Sequence, residues 1–530
     1  MLTETACPGL FYATPSQDGV LSRIRIPGGI LAARHCEAIA SLASRYGAVQ
    51  ITNRANLQIR SAEALSRDTL AHLQEAGLAA AQETDHLRNI MASPTAGIDA
   101  QALIDTRPWV AQWDRYLSFH PELAGLSAKF SVCFDGGEAV SVRDRPNDIS
   151  LVAVKRDEAV YFRLHLSLGD RGEPPQDVGI LLEPEESLSA LATLSALYLD
   201  YTVRQAPQRD PDLHRRSLKP RFREFLRNWG ITAVLQALEK QVVNYSSPSA
   251  PRPNPFRVDR FGELDSLRSA KHLGTHSQQQ PGLFYRGIAL PLGRLEADQL
   301  QGLSVLAAQY GDGTLRLTPW QNLLIPNIPE SQIGAVQESL EALGLSGAAT
   351  HPWGAIVACV GSRGCKFSAT DTQSHALALA EYLERRVKLD RSFNVHFSGC
   401  EKSCAQHHAA DVTLVGVAGA IEAYVLYVGS RNLTLGRELY RECSLEQLFH
   451  LIERMLRLYQ DRRVDATETF VEFVDRYSIN QLKQLLGDSQ QPWGSPPNPR
   501  QGTGASPTPP PHERLDELER SRCIGGRIGR

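Results

Sequence analysis

The sequence predicts an α+β protein built from two similar halves. Three segments recur in the same order and at a nearly constant offset along the chain. Recurrence of this kind indicates duplication of a structural unit. Both copies alternate strand-like stretches with an Ala/Leu-rich helical segment, so each half is expected to form a β-α-β-type unit.

The first recurring segment is Pro-Gly-Leu-Phe-Tyr, at residues 8–12 and again at 281–285. The second is the end of the helical segment, at Tyr46-Gly47 in one copy and Tyr310-Gly311 in the other. The third is a strand with the frame Thr-x-x-x-Asn-Leu-x-Ile, at residues 52–59 and 318–325. Shared turn chemistry could produce one of these matches, but three in order favour an ancient duplication.

This repeat defines the expected domain organisation. Residues 1–203 form the first half, residues 204–280 a helical connection and linker, and residues 281–485 the second half. A Ser/Pro-rich stretch at 246–255 has a composition typical of linkers. Residues 486–530 form a Pro-rich tail that buries too little apolar surface to offset its ordering entropy, so we expect it to be disordered.

Composition excludes several function classes. The 56 Lys and Arg residues nearly balance the 59 Asp and Glu residues, so no global field attracts nucleic acid or an anionic membrane. No apolar run approaches the roughly 20 residues of a membrane helix, and the N-terminus lacks a signal-peptide pattern. The sequence therefore predicts a cytoplasmic protein without nucleic-acid or membrane partners.

Four of the nine cysteines fall between residues 359 and 404, in the pattern C-x5-C…C-x3-C. Thiolates suit iron–sulfur clusters because sulfur is soft and negatively charged. Structural zinc usually has two tight C-x2-4-C knuckles, so zinc and unligated buried thiols are the alternatives to a 4Fe-4S cluster. The remaining cysteines are taken as structural. The predicted cluster ligands are Cys359, Cys365, Cys400 and Cys404.

Both cysteine pairs are expected at the ends of neighbouring strands, with a helix between the pairs. Asp371 or Thr370 is a plausible N-cap for that helix, and apolar residues at helical spacing follow it. The arrangement would allow four thiolates to converge on adjacent loops.

These motifs resemble those of the siroheme-type sulfite and nitrite reductases and their relative precorrin-3B synthase. The resemblance covers roughly residues 8–485, and the cysteine pattern is its most specific element. It implies duplicated nitrite/sulfite reductase-like halves with ferredoxin-like and cluster-binding α/β domains. It also implies that an anionic tetrapyrrole lies against the cluster.

Two features favour the synthase within that group. Sulfite reductases carry a second lysine where this chain has Ser131, and the reductases tend to have Cys-Pro-Asn-x-Cys where this chain has Cys-Glu-Lys-Ser-Cys at 400–404. The expected activity is therefore a monooxygenase reaction of cobalamin biosynthesis, the O₂-dependent hydroxylation of precorrin-3A to precorrin-3B. The first alternative is a siroheme-dependent ferredoxin-nitrite or sulfite reductase, in which Cys404 bridges to the haem iron. The second is a non-catalytic metal-binding redox scaffold.

The resemblance also indicates cationic residues for the carboxylates of an anionic tetrapyrrole substrate, because guanidinium groups bind carboxylates in bidentate fashion. The candidates are Arg54, Arg88, Lys129 and Arg60. The synthase resemblance implies a non-haem iron as well, for which His407 and His408 lie close to Cys404, although surface histidines in a loop are the favoured interpretation of this pair. No G-x-G-x-x-G follows a predicted strand, so electrons are expected from a separate donor such as ferredoxin or a reductase.

Overall fold

The computed structural model describes residues 8–170, 172–205, 219–243, 271–407, 409–419, 421–430 and 435–487. The described chain up to Leu486 belongs to one compact unit. The predicted Ser/Pro-rich linker, nearly all of the predicted tail and His408 lie outside the described residues.

Helices occur in both halves of the described chain. In the described chain the α-helices are α1 (Ala33–Tyr46), α2 (Arg67–Glu75), α3 (Arg107–Phe119), α4 (Ser187–Gln205), α5 (Phe222–Trp229), α6 (Ile231–Val243), α7 (Ala297–Tyr310), α8 (Ile333–Ala342), α9 (Gly361–Gly364), α10 (Thr372–Arg386), α11 (Leu445–Arg462), α12 (Phe470–Asp475) and α13 (Ile479–Leu485). None of these described helices combines the length and apolarity that a membrane crossing requires.

The strands are short and form four sheets of five strands each in the described chain. In chain order they are β1 (Thr14–Ser16), β2 (Gly19–Ile24), β3 (Ile30–Ala32), β4 (Val49–Ile51), β5 (Leu57–Ser61), β6 (Ile90–Ala92), β7 (Val132–Asp135), β8 (Ile149–Arg156), β9 (Ala159–Leu166), β10 (Gln176–Leu182), β11 (Gly274–Ser277), β12 (Leu283–Ile288), β13 (Arg294–Leu295), β14 (Thr314–Leu317), β15 (Leu323–Pro329), β16 (Ile356–Ala358), β17 (Val395–Ser398), β18 (Val412–Val417), β19 (Ala423–Val428) and β20 (Arg437–Cys443).

Two of the sheets exchange a strand between the halves. The first has the order β1-β2-β5-β4-β13, and its counterpart has the order β11-β12-β15-β14-β3. Thus β13 of the second half pairs with β4, and β3 of the first half pairs with β14. Helices α1 and α7 cover these sheets and share one core, to which Ile39, Leu42 and Leu303 contribute. The exchanged strands and the common core therefore hold the two halves together by direct contacts.

The other two sheets repeat one topology. In the order β10-β9-β8-β7-β6, the three strands β6, β7 and β8 are parallel and the outer two are antiparallel. In the order β16-β17-β18-β19-β20, the strands β16, β17 and β18 are parallel and the outer two are again antiparallel. The duplication predicted from the sequence therefore extends through both kinds of domain.

Local sequence explains several element ends. Both α1 and α7 end at a tyrosine followed by glycine, and the backbone N–H of that glycine bonds back to a helix carbonyl, Ala43 in α1 and Ala307 in α7. The N-cap of α10 is Asp371, whose carboxylate accepts the backbone N–H of Ser374. The repeated Thr-x-x-x-Asn-Leu-x-Ile frame forms a turn between two strands rather than one strand. In each copy the Thr and Asn backbones bond across the turn, for example Thr52 N to Asn56 O at 2.8 Å.

The region predicted as a helical connection packs into the first half. Phe222 and Phe225 of α5 are fully buried in the core that α4 and the β8–β9 hairpin also line. Strand β11 begins at Gly274, which is earlier than the expected start of the second half at residue 281. Aromatic residues at helical spacing drive this packing, because burying each ring removes a large apolar area from water.

Candidate metal centre

The four predicted cluster cysteines follow two adjacent parallel strands. Strands β16 and β17 pair in parallel from Ile356 with Val395 to Ala358 with Phe397. Cys359 comes directly after β16, and Cys365 follows the one-turn helix α9. Cys400 and Cys404 come two and six residues after the end of β17. Because the carboxyl ends of parallel strands meet at one edge of a sheet, the structure places all four cysteines in loops at that edge.

Hydrogen bonds connect the two cysteine loops. The backbone N–H of Cys359 donates to the carbonyl of Phe397 at 3.1 Å, and the N–H of Gly399 donates to Sγ of Cys359 at 3.2 Å. The Thr372 hydroxyl donates to the carbonyl of Cys359 at 2.8 Å. An amide N–H directed at sulfur stabilises the thiolate form, which is the form that binds iron.

The backbone of these loops leaves little space for larger residues. A Cβ at Gly399 would lie 1.6 Å from Oγ of Ser368. Ser403, inside the second loop, has a φ of 48°, in the left-handed region that serine rarely adopts. Strain of this kind at a loop persists only where the surroundings enforce it, and it is common at functional sites.

The chemistry of the donor set fits an iron–sulfur cluster. None of the seven described cysteines forms a disulfide. Cys36, Cys133 and Cys443 are buried, whereas the four loop cysteines are partly or fully exposed. Burial raises the pKa of Cys36 to about 11, so this thiol stays protonated. No three described His, Cys, Asp or Glu side chains are close enough together to bind one metal ion. In a cubane cluster, by contrast, each cysteine binds a different iron atom.

A hairpin of the first half touches both cysteine loops. Nδ2 of Asn53, in the turn between β4 and β5, donates to the carbonyls of Cys404 at 3.4 Å and Ala405 at 3.2 Å. On the neighbouring strand β5, Nη1 of Arg60 lies 2.9 Å from where a Cβ at Gly364 would stand. Arg60 also forms an ion pair with Asp18 at 2.7 Å. Residues of the first half thus contact both cysteine loops of the second half.

The Arg54 guanidinium is engaged by the protein itself. Its Nε donates to Oδ1 of Asn89 at 3.0 Å, Nη1 donates to the carbonyl of Pro146 at 2.8 Å, and Nη2 donates to Oδ1 of Asn147 at 2.5 Å. Burial of the guanidinium lowers the pKa of Arg54 to about 10. Arg54 therefore fixes the hairpin against the loop at 145–148.

Arg88 is held in an ion pair away from the cysteine loops. Nε and Nη2 donate to the two carboxylate oxygens of Asp114 at 2.8 and 3.0 Å, and Nη1 lies 3.9 Å from Asp85. Burial alone would lower the pKa of Arg88, but the Asp114 carboxylate more than offsets it, so the pKa is raised. Arg88 lines a cavity of about 290 Å³ together with Arg34 and His35. All described residues lining that cavity belong to the first half.

Lys129 differs from the three arginines. Its backbone N–H donates to Oγ of Ser127 at 3.3 Å, but its ammonium group forms no ion pair with any described carboxylate. Ser131, two residues later, is buried, and its N–H donates to Oδ2 of Asp148 at 3.1 Å. Of the four predicted substrate cations, Arg60 and Arg88 pair with carboxylates and Arg54 donates to neutral acceptors, whereas the ammonium group of Lys129 forms no ion pair with a described carboxylate.

Of the two histidines predicted for a second iron, only His407 is among the described residues. His407 is half-buried, and its Cβ lies 3.2 Å from where a Cβ at Gly172 would stand. Sequence reasoning missed Asn53 as a contact of the cysteine loop, and it missed Asp18 and Asp114 as partners of the candidate arginines. These partners lie 26 or more residues away in the chain, and no local pattern identifies them.

Two family models match the chain, each of them twice. The model described as "Nitrite/Sulfite reductase ferredoxin-like half domain" matches residues 13–70 and 276–343. The model described as "Nitrite and sulphite reductase 4Fe-4S domain" matches residues 83–244 and 353–494. Together these segments span most of the sequence and include all four loop cysteines.

Whole proteins resemble the chain over most of their length. A ferredoxin–nitrite reductase of Synechococcus elongatus is 28% identical over 471 residues, covering 84% of this chain and 88% of the relative. A sulfite reductase [ferredoxin] 2 of Mycolicibacterium paratuberculosis is 26% identical over 485 residues, covering 87% of this chain and 83% of the relative. The solved structure of the Mycobacterium tuberculosis NirA protein has a TM-score of 0.70 at 24% identity, covering 87% of this chain and 84% of that chain, and it shows the fold.

These findings correct the predicted activity. The prediction of a monooxygenase that hydroxylates precorrin-3A in cobalamin biosynthesis is wrong, because the relatives found are named as ferredoxin-dependent nitrite and sulfite reductases. The synthase prediction depended on Ser131 and on the loop at 400–404, two local differences within an otherwise shared pattern. The non-haem iron and the tetrapyrrole substrate were implied by that prediction, and they lose their basis with it.

Proposed function

The chain belongs to the nitrite and sulfite reductase family, and we propose that it is a ferredoxin-dependent reductase that converts nitrite to ammonia. The observation that carries the proposal is the placement of four cysteines at one sheet edge, where the Asn53 hairpin of the first half contacts them. The family models that match the chain are those of nitrite and sulfite reductases. The Synechococcus and maize relatives are both named as ferredoxin–nitrite reductases.

The matched 4Fe-4S domain and the thiol set together support the cofactor assignment. We propose that Cys359, Cys365, Cys400 and Cys404 would hold a 4Fe-4S cluster, and that Cys404 would be the thiolate shared with siroheme. Cys404 suits this shared position because it is the exposed member of the set and lies beside the first-half hairpin. When bound, the two cofactors supply stored electrons and a metal centre for the nitrogen atom.

The first half would bind the anions. We propose that Lys129 binds an oxygen of nitrite, because no described carboxylate neutralises its ammonium group. Arg60 lies on the strand beside the first cysteine loop, where it can bind a carboxylate of the macrocycle without leaving Asp18. Arg54 and Arg88 are positioning residues in this proposal, since Asn89, Asn147 and Asp114 already use their donors. Ser131, where sulfite reductases have a lysine, favours the smaller monoanion nitrite.

The reaction balances with an external donor. Nitrogen passes from oxidation state +3 in nitrite to −3 in ammonium, so each turnover takes six electrons and eight protons and releases two waters. One-electron donors must therefore deliver electrons repeatedly, and a 4Fe-4S group held by the four cysteines would supply one-electron redox chemistry for this exchange. No G-x-G-x-x-G follows a strand predicted from the sequence, which favours a separate ferredoxin over NAD(P)H as the donor.

The test is a spectrum followed by turnover. The purified protein is examined anaerobically by ultraviolet–visible absorption, with iron, sulfide and extracted-haem analysis of the same sample. It is then assayed with dithionite-reduced methyl viologen and either nitrite or sulfite. We expect siroheme bands, four cluster irons and ammonium from nitrite. Sulfide from sulfite with no ammonium from nitrite would transfer the assignment to sulfite reduction, and absence of a chromophore would support a non-catalytic scaffold.

A pair of variants tests the role of Lys129. Lys129→Ala removes one charge-assisted hydrogen bond, worth about 1.5–3 kcal/mol, and should raise KM for nitrite roughly 10- to 100-fold. Lys129→Arg keeps the charge and should recover most of the loss. Both variants should retain the iron and sulfide content of the wild type, because Lys129 does not contact the described cysteine loops. An unchanged KM in Lys129→Ala removes this residue from the site.

A further inference from the structure

We propose that His375 binds a proton when a cluster held by the cysteine loops is reduced, and that Tyr424 and Glu422 are the residues that position it. The three side chains form a hydrogen-bonded row beside Cys359. This inference rests on the proposed function, because it concerns the electrons that enter the chain during nitrite reduction. That reaction consumes protons as well as electrons, so a residue that couples the two uptakes serves it directly.

The row runs from the surface to a buried phenol. Nε2 of His375 lies 3.1 Å from Oε2 of Glu422, and Nδ1 lies 2.8 Å from the phenol oxygen of Tyr424. The Glu422 side chain is 42% exposed and the His375 side chain 16% exposed, whereas Tyr424 is fully buried. The imidazole therefore joins a solvent-accessible carboxylate to the interior of the second half.

The inner end of the row lies next to a cysteine of the metal site. The hydroxyl of Thr372, on the first turn of α10, lies 3.5 Å from Sγ of Cys359. His375 is three residues further along α10, and residues at this spacing are neighbours on one helix face. The Tyr424 ring packs edge-on against Phe397, with 5.6 Å between the ring centroids, and the Phe397 carbonyl accepts the N–H of Cys359. His375 thus lies behind Thr372 and Tyr424, near the cysteine.

The partners determine which ring nitrogen of His375 can bind an added proton. Burial, with smaller contributions from the charges of Glu422 and Cys359, raises the pKa of Tyr424, so the phenol keeps its hydrogen and donates it to Nδ1. Nε2 then carries the ring hydrogen and donates to the Glu422 carboxylate. An added proton binds at Nδ1, and the phenol hydrogen turns to the Thr370 hydroxyl, which is buried beside it.

The charges around His375 favour the proton. Glu422 contacts the ring directly, and its Oε1 accepts the backbone N–H of Asp371 at 3.0 Å, which fixes the carboxylate. The Asp371 carboxylate itself is paired with Arg363 at 2.7 Å. Other ionisable groups packed against α10 lie toward its C-terminal end, where His351 contacts Glu384, and His450 and Glu453 contact Tyr382. The negative charges that the imidazole meets are therefore those of Glu422 and of the site at Cys359.

Each uptake balances one electron with one proton. The external donor loses one electron to a cluster held by the four cysteines, which adds one unit of negative charge there, and Nδ1 of His375 binds one proton from solvent. Unit charges on the order of 10 Å apart inside a protein change a binding equilibrium roughly tenfold. A proton affinity that is tenfold higher in the reduced state corresponds to about 59 mV in the potential of a one-electron couple.

The experiment is a redox titration of the holoenzyme, followed by electron paramagnetic resonance, from about pH 5.5 to about pH 8.5, where histidine titrates. The wild-type potential should fall by about 59 mV as the pH rises and then level off. His375→Gln stays polar but does not titrate, so its potential should be independent of pH. Glu422→Gln removes the carboxylate that stabilises the protonated ring and should move the sloping segment to lower pH. His450→Gln, at an exposed histidine that also bonds to a tyrosine, is the matched control and should reproduce the wild-type curve.

Proton uptake on reduction, read with a pH indicator in weakly buffered solution, provides a second measurement. The wild type should take up more protons than His375→Gln at a pH where histidine titrates. A wild-type potential that stays constant over this range overturns the inference without any variant, and so does equal proton uptake by His375→Gln with a full cluster. Lack of nitrite and sulfite turnover with methyl viologen would instead overturn the proposed function, and the wild-type potential would still decide the role of His375.

Discussion

Replacing Arg54 with alanine separates a positioning role from a binding role. The variant removes the donors that reach Oδ1 of Asn89, the carbonyl of Pro146 and Oδ1 of Asn147. Each hydrogen bond from a charged donor contributes about 1.5–3 kcal/mol, and removing the donor leaves a poorly hydrated acceptor. Arg54 keeps some solvent exposure, so water can replace part of the loss. We therefore expect the free energy of unfolding to fall by about 3–4 kcal/mol.

Urea denaturation followed by tryptophan fluorescence measures this loss, because Trp113 is buried in the core of the first half. The midpoint of unfolding should fall markedly in Arg54→Ala and less in Arg54→Lys, which keeps the charge but loses the planar fork. Arg34→Ala, at an exposed arginine, should leave the midpoint unchanged. A normal midpoint in Arg54→Ala combined with a tenfold higher KM for nitrite would refute the positioning role and make Arg54 a binding residue.

Three further predictions concern the cluster loops and acid stability. Cys400→Ser should abolish cluster assembly, and a variant with wild-type iron, sulfide and activity would contradict the ligand assignment. Gly399→Ala places a Cβ 1.6 Å from Oγ of Ser368 and should lower cluster content, which Ser368→Gly in the same chain should partly restore. Burial, aided by Arg145, lowers the pKa of His272 to about 3, so this ring stays neutral in the folded state while the unfolded chain binds a proton below pH 6.5. The folded protein should therefore lose about 3 kcal/mol between pH 7 and pH 4, and His272→Phe should abolish this part of the acid destabilisation in pH-dependent urea titrations.

The sequence predicted correctly those features that depend on residues close together in the chain. The duplication, the Tyr-Gly ends of α1 and α7 and the Asp371 cap of α10 are all local patterns, and the structure confirms them. The strand exchange was not foreseeable, because β13 has only two residues and β3 only three, too few to show a period. Elements of that length take their pairing from tertiary context.

In the candidate site, too, local sequence patterns predicted some features, whereas others depend on tertiary contacts. The cysteine loops could be placed because strand ends and cysteine spacing are readable in the sequence. Whether each candidate arginine is already paired could not be predicted, because the carboxylates that neutralise these arginines lie on distant elements. Asp114 on α3 holds Arg88, and Asp18 beside β2 holds Arg60. A motif identifies an arginine, but only the fold shows whether a carboxylate already neutralises it.

The duplication also explains why one chain would hold one cluster. In the second half, the loops after the first two parallel strands carry the cysteines. The corresponding loops of the first half are closed by hydrogen bonds instead, for example from the Ser141 hydroxyl to Oδ2 of Asp135 at 2.6 Å. The position of Arg54 in the repeated frame is occupied by Trp320 in the second copy. Trp320 packs against Met91 and stacks beneath Arg145, whose guanidinium carbon lies 4.7 Å from the ring centroid. The β14–β15 hairpin of the second half therefore contacts the first half through the bulky ring of Trp320, which fills the interface. The other hairpin contacts the second half through Asn53, whose Nδ2 donates to the carbonyls of Cys404 and Ala405.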